Sequence, residues 1–328
     1  MTVGHKKQHT IPRSYLAAWI EPVTPAGQTS AIYLISKANK TVRRKSPAKS
    51  FTQTDRYTVR LKDGTRDLAV EHVLGALESD FQGVLHSIRH EEKLTMLQRA
   101  KLCTFTAAMM GRSTQQGDWL LKQQLEHLEK IRKMEKAHGA KPITSKEMED
   151  ALENHHAQLV VNSIEVIAPR LFRMMLTIFT TNDPIGFINS DAPAVMYNPK
   201  SHTFPPMYRS PGLLQRDVEV TLPLSPRHLA LFSHNPAPRF YIPMTPADVD
   251  EANRTTYFFC EKEFVSRTGK VRDVWMSERQ KPADAWSEDA APNFEVTGPI
   301  RAEKVVAQYE QLKKFHDSLR EDIFLEED

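Results

Sequence analysis

Three side chains that could serve catalysis, two by acid–base chemistry and one by orienting a substrate, lie far apart in this sequence. His9 has an imidazole whose unperturbed pKa, near 6.5, fits a general acid or base. Asp191 follows a short apolar strand in Ser190-Asp191-Ala192-Pro193, where strand and proline together hold the carboxylate at a turn. Asn253, near the start of a helix, offers an amide that would orient a substrate. A hydrogen-bonded histidine, an Asx turn and a surface amide are the structural alternatives, and both interpretations stay open.

The side chains that could bind a metal are poorly spaced for holding a single ion. Glu71 and Glu78 share one face of a helix but lie roughly 10 Å apart along it, at about 1.5 Å per residue. We expect them to pair with arginines on a neighbouring element. His155 and His156 are adjacent, so on a helix their side chains diverge by about 100° and lack a third ligand. The sequence therefore predicts no metal and no cofactor.

Composition and missing motifs exclude several classes of protein. The chain of 328 residues is 40% hydrophobic and 26% charged, which is typical of a globular protein. It lacks a glycine-rich phosphate loop, His-Glu-x-x-His and Gly-x-Ser-x-Gly, which argues against P-loop nucleotide hydrolysis and zinc proteolysis. No apolar run approaches the roughly 20 residues of a membrane span, and no secretory signal is recognisable. Two distant cysteines fit a reducing compartment, so we expect a cytoplasmic protein without membrane contact.

Positive charge is concentrated near the N-terminus, although the net charge is only +3. The side chains concerned are Lys6, Lys7, Arg13, Lys37, Lys40, Arg43, Arg44, Lys45 and Lys49. This basic third would suit contact with phosphates. An ordinary solvated rim explains it equally well.

Hydrophobic periodicity indicates which elements position these residues. A helix from Pro12 places Tyr15, Leu16 and Trp19 on one face. Further helices are predicted at 70–88, 94–109, 160–180 (crossed by Pro169), from Pro246, and at 301–322, with an exposed, charged helical excursion at about 115–155. Strands are predicted at 31–36, 40–44, 56–61, 186–189, 218–222 and 228–233, with a last one between 257 and 266. The order predicts a single α+β domain over 1–328, a central helical bundle flanked by small antiparallel sheets from the N-terminal and C-terminal parts.

The chain resembles the bacterial and fungal family of domains of unknown function numbered 4238. The resemblance covers most of the chain and begins with Gln8-His9-x-x-Pro12-x-x-Tyr15-Leu16-x-x-Trp19, where the family usually has phenylalanine last. It continues with Glu71, Glu78, Arg112, Ser190-Asp191-x-Pro193, Pro223-Leu224-Ser225-Pro226 and Asn253. The family carries no assigned activity. The resemblance implies that certain residues come together, namely His9, Arg13, Glu71, Glu78, Arg112, Asp191, Ser225 and Asn253.

A pocket built from these residues would suit metal-independent hydrolysis through a cationic transition state. Asp191 would stabilise an oxocarbenium ion or activate water, His9 would protonate the leaving group, and Asn253 with Arg112 would orient it. The remaining expected substrate-binding residues are Arg13, Tyr15, Glu71, Glu78, Ser190 and Ser225. With the basic face available for phosphates, we expect a DNA glycosylase-like enzyme that excises a flipped, modified base. Bacterial defence against phage DNA is the expected setting, taken from the kind of family and from no residue.

Two other functions remain open. A metal-dependent nuclease would use Glu71, Glu78 and Asp191, although the separation of the two glutamates counts against it. A non-catalytic binding module would keep the arginine–glutamate network as a purely structural feature. The sequence leaves open the base or sugar recognised, the preference for DNA over RNA, and the oligomeric state.

Overall fold

A computed structural model describes residues 7–61, 64–139, 143–205 and 208–277. Within these residues the helices are α1 (Arg13–Leu16), α2 (Ala69–Arg89), α3 (Met96–Gly111), α4 (Thr114–Ala137), α5 (Ile143–Glu153), α6 (His155–Arg173) and α7 (Pro246–Phe259). The strands are β1 (Lys7–His9), β2 (Ile32–Ser36), β3 (Val42–Lys45), β4 (Thr52–Thr54), β5 (Val59–Arg60), β6 (Arg66–Asp67), β7 (Met175–Thr180), β8 (Asn189–Ser190), β9 (Val195–Tyr197), β10 (Glu219–Ser225), β11 (His228–Ser233), β12 (Tyr241–Pro243) and β13 (Glu263–Ser266). The helix predicted at 301–322 lies outside the described residues.

The N-terminal segment contributes to the main hydrophobic core. Strand β1 pairs antiparallel with β4, and α1 begins after Pro12, as predicted, before tightening into a 3-10 turn. Tyr15, Leu16 and Trp19 are completely buried. The Tyr15 ring contacts those of Trp19, Phe81 and Phe105 at centroid distances of 5.2 to 5.8 Å. The predicted apolar face of α1 is therefore confirmed, and it belongs to the main core.

Helices α2, α3 and α6 form the bundle, confirming the helices predicted at 70–88 and 94–109. Phe81 of α2 stacks on Phe105 of α3 with ring centroids 3.9 Å apart. At Gly111 an added Cβ would lie 2.7 Å from the hydroxyl of Ser163, so α3 and α6 approach closely there because no side chain intervenes. Helices α4 and α5 pack on each other as the exposed excursion, with Trp119 58% exposed.

A five-stranded sheet covers the bundle, in the order β12-β7-β11-β10-β9. All its pairs are antiparallel except β12–β7, which is parallel. Because side chains alternate along a strand, Val220, Leu222 and Ala230 face the bundle core. Glu219 and Thr221 lie on the opposite face, which α7 covers only in part. An open cleft lies on this second face.

The other large sheet joins both ends of the described chain. Its order is β3-β2-β13-β8, so the N-terminal hairpin pairs with strands from the C-terminal part. The sequence did not predict this joining of N-terminal and C-terminal strands, because pairing between distant segments leaves no local signal. The strand predicted at 56–61 is also absent from this sheet. Only Val59–Arg60 is extended, and it pairs with β6.

The helix predicted at 160–180 was wrong in its last turns. Helix α6 contains Pro169 without being split there, and it ends at Arg173. Residues 175–180 form β7 instead, between β11 and β12. Their apolar and β-branched side chains suit either element in isolation, and the ladders on both sides favour the strand. The α+β class itself is confirmed.

Candidate functional site: a lysine groove beside an apolar cleft

Asp191 is enclosed by backbone amides. Its Oδ1 accepts the N–H of Glu261 at 2.8 Å, and its Oδ2 accepts those of Lys262 and Glu263 at 2.7 and 2.9 Å. The residue is 8% exposed. A carboxylate has about four acceptor positions, and three are used to hold the loop between α7 and β13. This geometry makes Asp191 a structural anchor and leaves little of it for activating water.

Asn253 and Ser190 also bond to nearby backbone. The Asn253 amide donates to the Gly186 carbonyl and accepts the Ile188 N–H, both at 2.9 Å. Ser190 Oγ accepts the Ala192 N–H at 3.2 Å. Gly186 has a φ of +73°, and an added Cβ would lie 2.0 Å from a backbone oxygen of Pro226. Asn253 therefore clamps a turn that requires glycine, and it points at backbone instead of at open space.

Tyr15 and Ser225 lie where the bundle meets the five-stranded sheet. The Tyr15 hydroxyl donates to the Pro223 carbonyl. Ser225 Oγ is 2.9 Å from Nδ1 of His228, and burial together with two nearby arginines lowers the pKa of His228 to about 4. A serine hydrogen-bonded to a histidine resembles an activated nucleophile. Both side chains are buried in the β10–β11 turn and line neither opening, so the pair stabilises this turn.

His9, Glu78 and Arg112 form a separate cluster. Arg112 donates to Glu78 Oε1 at 3.0 Å and to the His9 carbonyl, and its guanidinium lies over the Tyr57 ring. The expected pairing of Glu78 with an arginine is confirmed. His9 Nε2 lies 3.2 Å from the Ala48 carbonyl oxygen, and burial lowers the pKa of His9.

Two further predicted site residues lie on helices α1 and α2. Arg13 is exposed on α1, and Glu71 lies in the first turn of α2 with contacts of its own. Hydrogen bonds among the described residues thus group part of the expected set around Arg112, and they hold Asp191 and Asn253 against backbone elsewhere. The catalytic and binding roles given to all these residues stay predictions.

A polar groove of about 710 Å³ lies between the N-terminal strands and the loop that Asp191 anchors. Its lining includes Lys37, Lys45, Lys49 and Lys262, the polar side chains of Thr10, Thr52 and Thr114, and the carboxylates of Asp191, Glu261 and Glu263. We call this opening the lysine groove. Three of its lysines belong to the basic N-terminal third of the sequence.

The two signs of charge in the lysine groove are not equally available. Glu261 accepts the Thr114 hydroxyl at 2.7 Å, Glu263 pairs with Arg43, and Asp191 holds the three amides. Within the described residues, Lys45, Lys49 and Lys262 form no ion pair, and all three are exposed. The groove therefore presents three ammonium groups that have no ion pair among the described residues, while its carboxylates keep their negative charge but are held by protein donors.

An apolar cleft of about 1120 Å³ lies on the second face of the five-stranded sheet. Its floor carries Phe179, Leu229, Leu231, Thr221, Glu219 and Tyr197. One wall is α7, which presents Ala252, Thr255 and Phe259 at helical spacing. We call this opening the apolar cleft. An apolar cavity with a few convergent polar groups is the usual form of a small-molecule site.

Glu219 is the carboxyl at the floor of the apolar cleft. It stands directly opposite Tyr197 in the β10–β9 ladder and accepts the hydrogen bond of the Tyr197 hydroxyl. Burial, with a further contribution from Asp217, raises the pKa of Glu219. A raised carboxyl pKa in a cleft is the property expected of a general acid.

Lys37 stands between the lysine groove and the apolar cleft and lines both. Its ammonium donates to the carbonyls of Phe258 at 2.9 Å and Cys260 at 2.6 Å, at the end of α7. It also lies 5.3 Å from the centre of the Tyr257 ring. The two openings are therefore neighbours, separated by a fixed positive charge.

Neither a metal centre nor a membrane segment is found in the described part of the chain. Among residues 7–61, 64–139, 143–205 and 208–277, no group of three or more histidine, cysteine, aspartate or glutamate side chains is arranged to hold a metal ion. Over the same residues, none of the helices is both long and apolar enough to span a bilayer.

The chain belongs to the family described as protein of unknown function, DUF4238, whose profile matches residues 7–270. The resemblance inferred from the motifs is thereby confirmed. No curated protein and no solved structure matches the chain. The comparisons assign a family without an activity, so a functional proposal has to rest on the two openings.

Sequence reasoning missed the cleft residues Glu219, Thr221 and Tyr197. One signal was present, because alternation in Val218-Glu219-Val220-Thr221-Leu222 places Glu219 and Thr221 on one face of a strand. Such a face is often plain solvated surface. What makes it a cleft is α7 packed beside it, which no local pattern indicates.

Proposed function

We propose that the protein is a nucleic-acid-acting hydrolase, best described as a metal-independent, DNA glycosylase-like enzyme. The observation that carries the proposal is the adjacency of the two openings at Lys37. Free lysines suit a sugar–phosphate backbone, and an apolar cleft with a carboxyl floor suits a base turned out of the stack. The position of Glu219 at the cleft floor supports it as the group that protonates the leaving base and accepts a proton from water. These roles were first expected of His9 and Asp191.

The proposed reaction is hydrolysis of an N-glycosidic bond. As the bond between C1′ and the base nitrogen breaks, its electron pair goes to the base, and Glu219 in its acid form supplies the proton. Water adds to the oxocarbenium carbon and returns a proton to the Glu219 carboxylate. The products are a free base and an abasic sugar. The raised pKa of Glu219 supports this role, because the carboxyl keeps its proton to a higher pH than a solvated glutamate.

A non-catalytic nucleic-acid-binding module is the second candidate. It is favoured by the engagement of Asp191, Glu261 and Glu263 within the lysine groove, which leaves binding as the groove's main capacity. For either function we propose a cytoplasmic location, supported by the two buried free thiols of Cys103 and Cys260.

The test is incubation with unmodified DNA and with phage DNA that carries modified bases, in EDTA, followed by alkali to break abasic sites. We expect alkali-dependent breaks from the wild type. Glu219→Gln keeps the shape of the side chain but removes the titrating proton, so base release falls at least about 100-fold. Glu251→Gln is the matched control, since it changes an exposed carboxyl on the rim of the cleft.

Two outcomes would overturn the proposed enzyme, and a third would overturn the role of Glu219. Cutting that requires magnesium points to a nuclease. Binding without any change to the DNA leaves the module. Base release that survives Glu219→Gln but is lost in Glu251→Gln removes Glu219 from the mechanism.

A further inference from the structure

Three aromatic rings run from the rim of the apolar cleft, beside Lys37, to the carboxyl at its floor. Phe258 is 72% exposed at the rim, and its ring lies edge-to-face with Phe259 at 5.2 Å. Phe259 lies 6.4 Å from Tyr197, whose hydroxyl reaches Glu219. We call Phe258, Phe259 and Tyr197 the aromatic track.

We infer that the aromatic track binds the unpaired bases of a single-stranded or locally opened nucleic acid, with Phe258 as the stacking platform at its entrance. The inference rests on the proposed function, which names nucleic acid as the substrate. It adds that the bound nucleic acid is single-stranded or locally opened. Aromatic side chains beside a positively charged groove are the usual means of holding single strands, since every base has a face to stack.

The position of Phe258 supports this choice of ligand over an apolar partner. The backbone carbonyl of Phe258 accepts a hydrogen bond from the Lys37 ammonium, so the residue that carries the exposed ring lies beside the charge that separates the two openings. A phosphate near Lys45 or Lys49 and a base on Phe258 would thus meet neighbouring parts of one surface. An intact duplex keeps its bases stacked on one another and offers no free face to the ring.

The experiment compares a single-stranded oligonucleotide with a hairpin duplex of the same composition, each labelled for fluorescence anisotropy, in EDTA with the full chain. We expect Phe258→Ala to weaken single-strand binding about tenfold, the usual effect of losing one stacked base, and to change duplex binding less than twofold. Phe258→Trp should restore single-strand affinity, because the larger ring stacks at least as well.

Trp119→Ala is the matched control, since Trp119 is another exposed aromatic ring, on the α4–α5 excursion. It should change neither affinity. Unaltered single-strand binding in Phe258→Ala would overturn the inference, as would equal losses on single strand and duplex. A wild type that binds no oligonucleotide removes both this inference and the proposed function. Single-strand binding that depends on Phe258 without base release would support the track and refute the glycosylase.

Discussion

The motif residues and the lining of the apolar cleft differ in what their polar atoms face. The side chains of Asp191 and Asn253 form hydrogen bonds with backbone groups of the protein. Among the described residues, Glu219 has one hydrogen-bond donor, Tyr197, and its side chain lines the apolar cleft. A recognisable motif in this chain therefore maintains backbone geometry, and the surface that meets a ligand is built from residues outside any motif.

The comparison predicts that the two regions respond differently to substitution. Changes among the motif residues should lower the free energy of unfolding, because they leave buried donors without partners. Changes at the openings should leave folding nearly intact and alter binding or activity.

The largest effect is expected from Asp191→Asn. The amide keeps one acceptor oxygen but presents N–H groups to backbone donors that a carboxylate now satisfies. We expect a loss of about 4 kcal/mol in the free energy of unfolding, since hydrogen bonds to a charged group contribute about 1.5 to 3 kcal/mol each. Urea denaturation measures it. A variant of wild-type stability would contradict the anchoring role.

A pH titration of stability tests the buried pair in the β10–β11 turn. The pKa of His228 is lowered from 6.5 to about 4, so folding favours the neutral ring. Its stabilising contribution is present above pH 6.5 and is lost as pH falls towards 4, by about 3 kcal/mol at 1.36 kcal/mol per unit. His228→Asn keeps a group near Nδ1 but does not titrate. Its unfolding free energy should therefore fall less than that of the wild type between pH 7 and 4, and parallel curves would refute the assignment.

A smaller loss is expected from Asn253→Ala. It removes the partners of the Ile188 N–H and the Gly186 carbonyl, at about 1 kcal/mol for each hydrogen bond, or about 2 kcal/mol together. Thermal unfolding would show it. A variant that unfolds like the wild type but no longer acts on nucleic acid would assign Asn253 to the substrate.

The smallest effect on stability is expected at the lysine groove. Replacing Lys45 and Lys49 together by alanine should change the unfolding free energy by less than about 0.5 kcal/mol, since both are exposed. Two lost phosphate contacts should flatten the dependence of log K on log salt by about 1.4 for a single strand. The matched control replaces Lys122 and Lys130 of α4, also exposed. An equal change in the salt dependence of the control pair would show that nucleic acid does not bind preferentially at the lysine groove.

The sequence predicted this fold where local pattern decides it. The apolar face of α1, helices α2 and α3, and the exposed excursion follow from spacing alone. It failed where distant segments meet, as in β7 and in the sheet that joins β2 to β13. Asp191 shows the same limit, because the amides it holds are 70 to 72 residues away. Glu219 lines a cleft only because α7 packs beside its strand.

The most direct test measures unfolding free energy and base release side by side for Asp191→Asn and Glu219→Gln. We predict that Asp191→Asn is strongly destabilised, and that at a temperature where it stays folded it retains base release. Glu219→Gln should fold with wild-type stability and release at least about 100-fold less base. The opposite pattern is a stable but inactive Asp191→Asn beside an active Glu219→Gln. It would contradict the account and assign catalysis to Asp191 instead of Glu219.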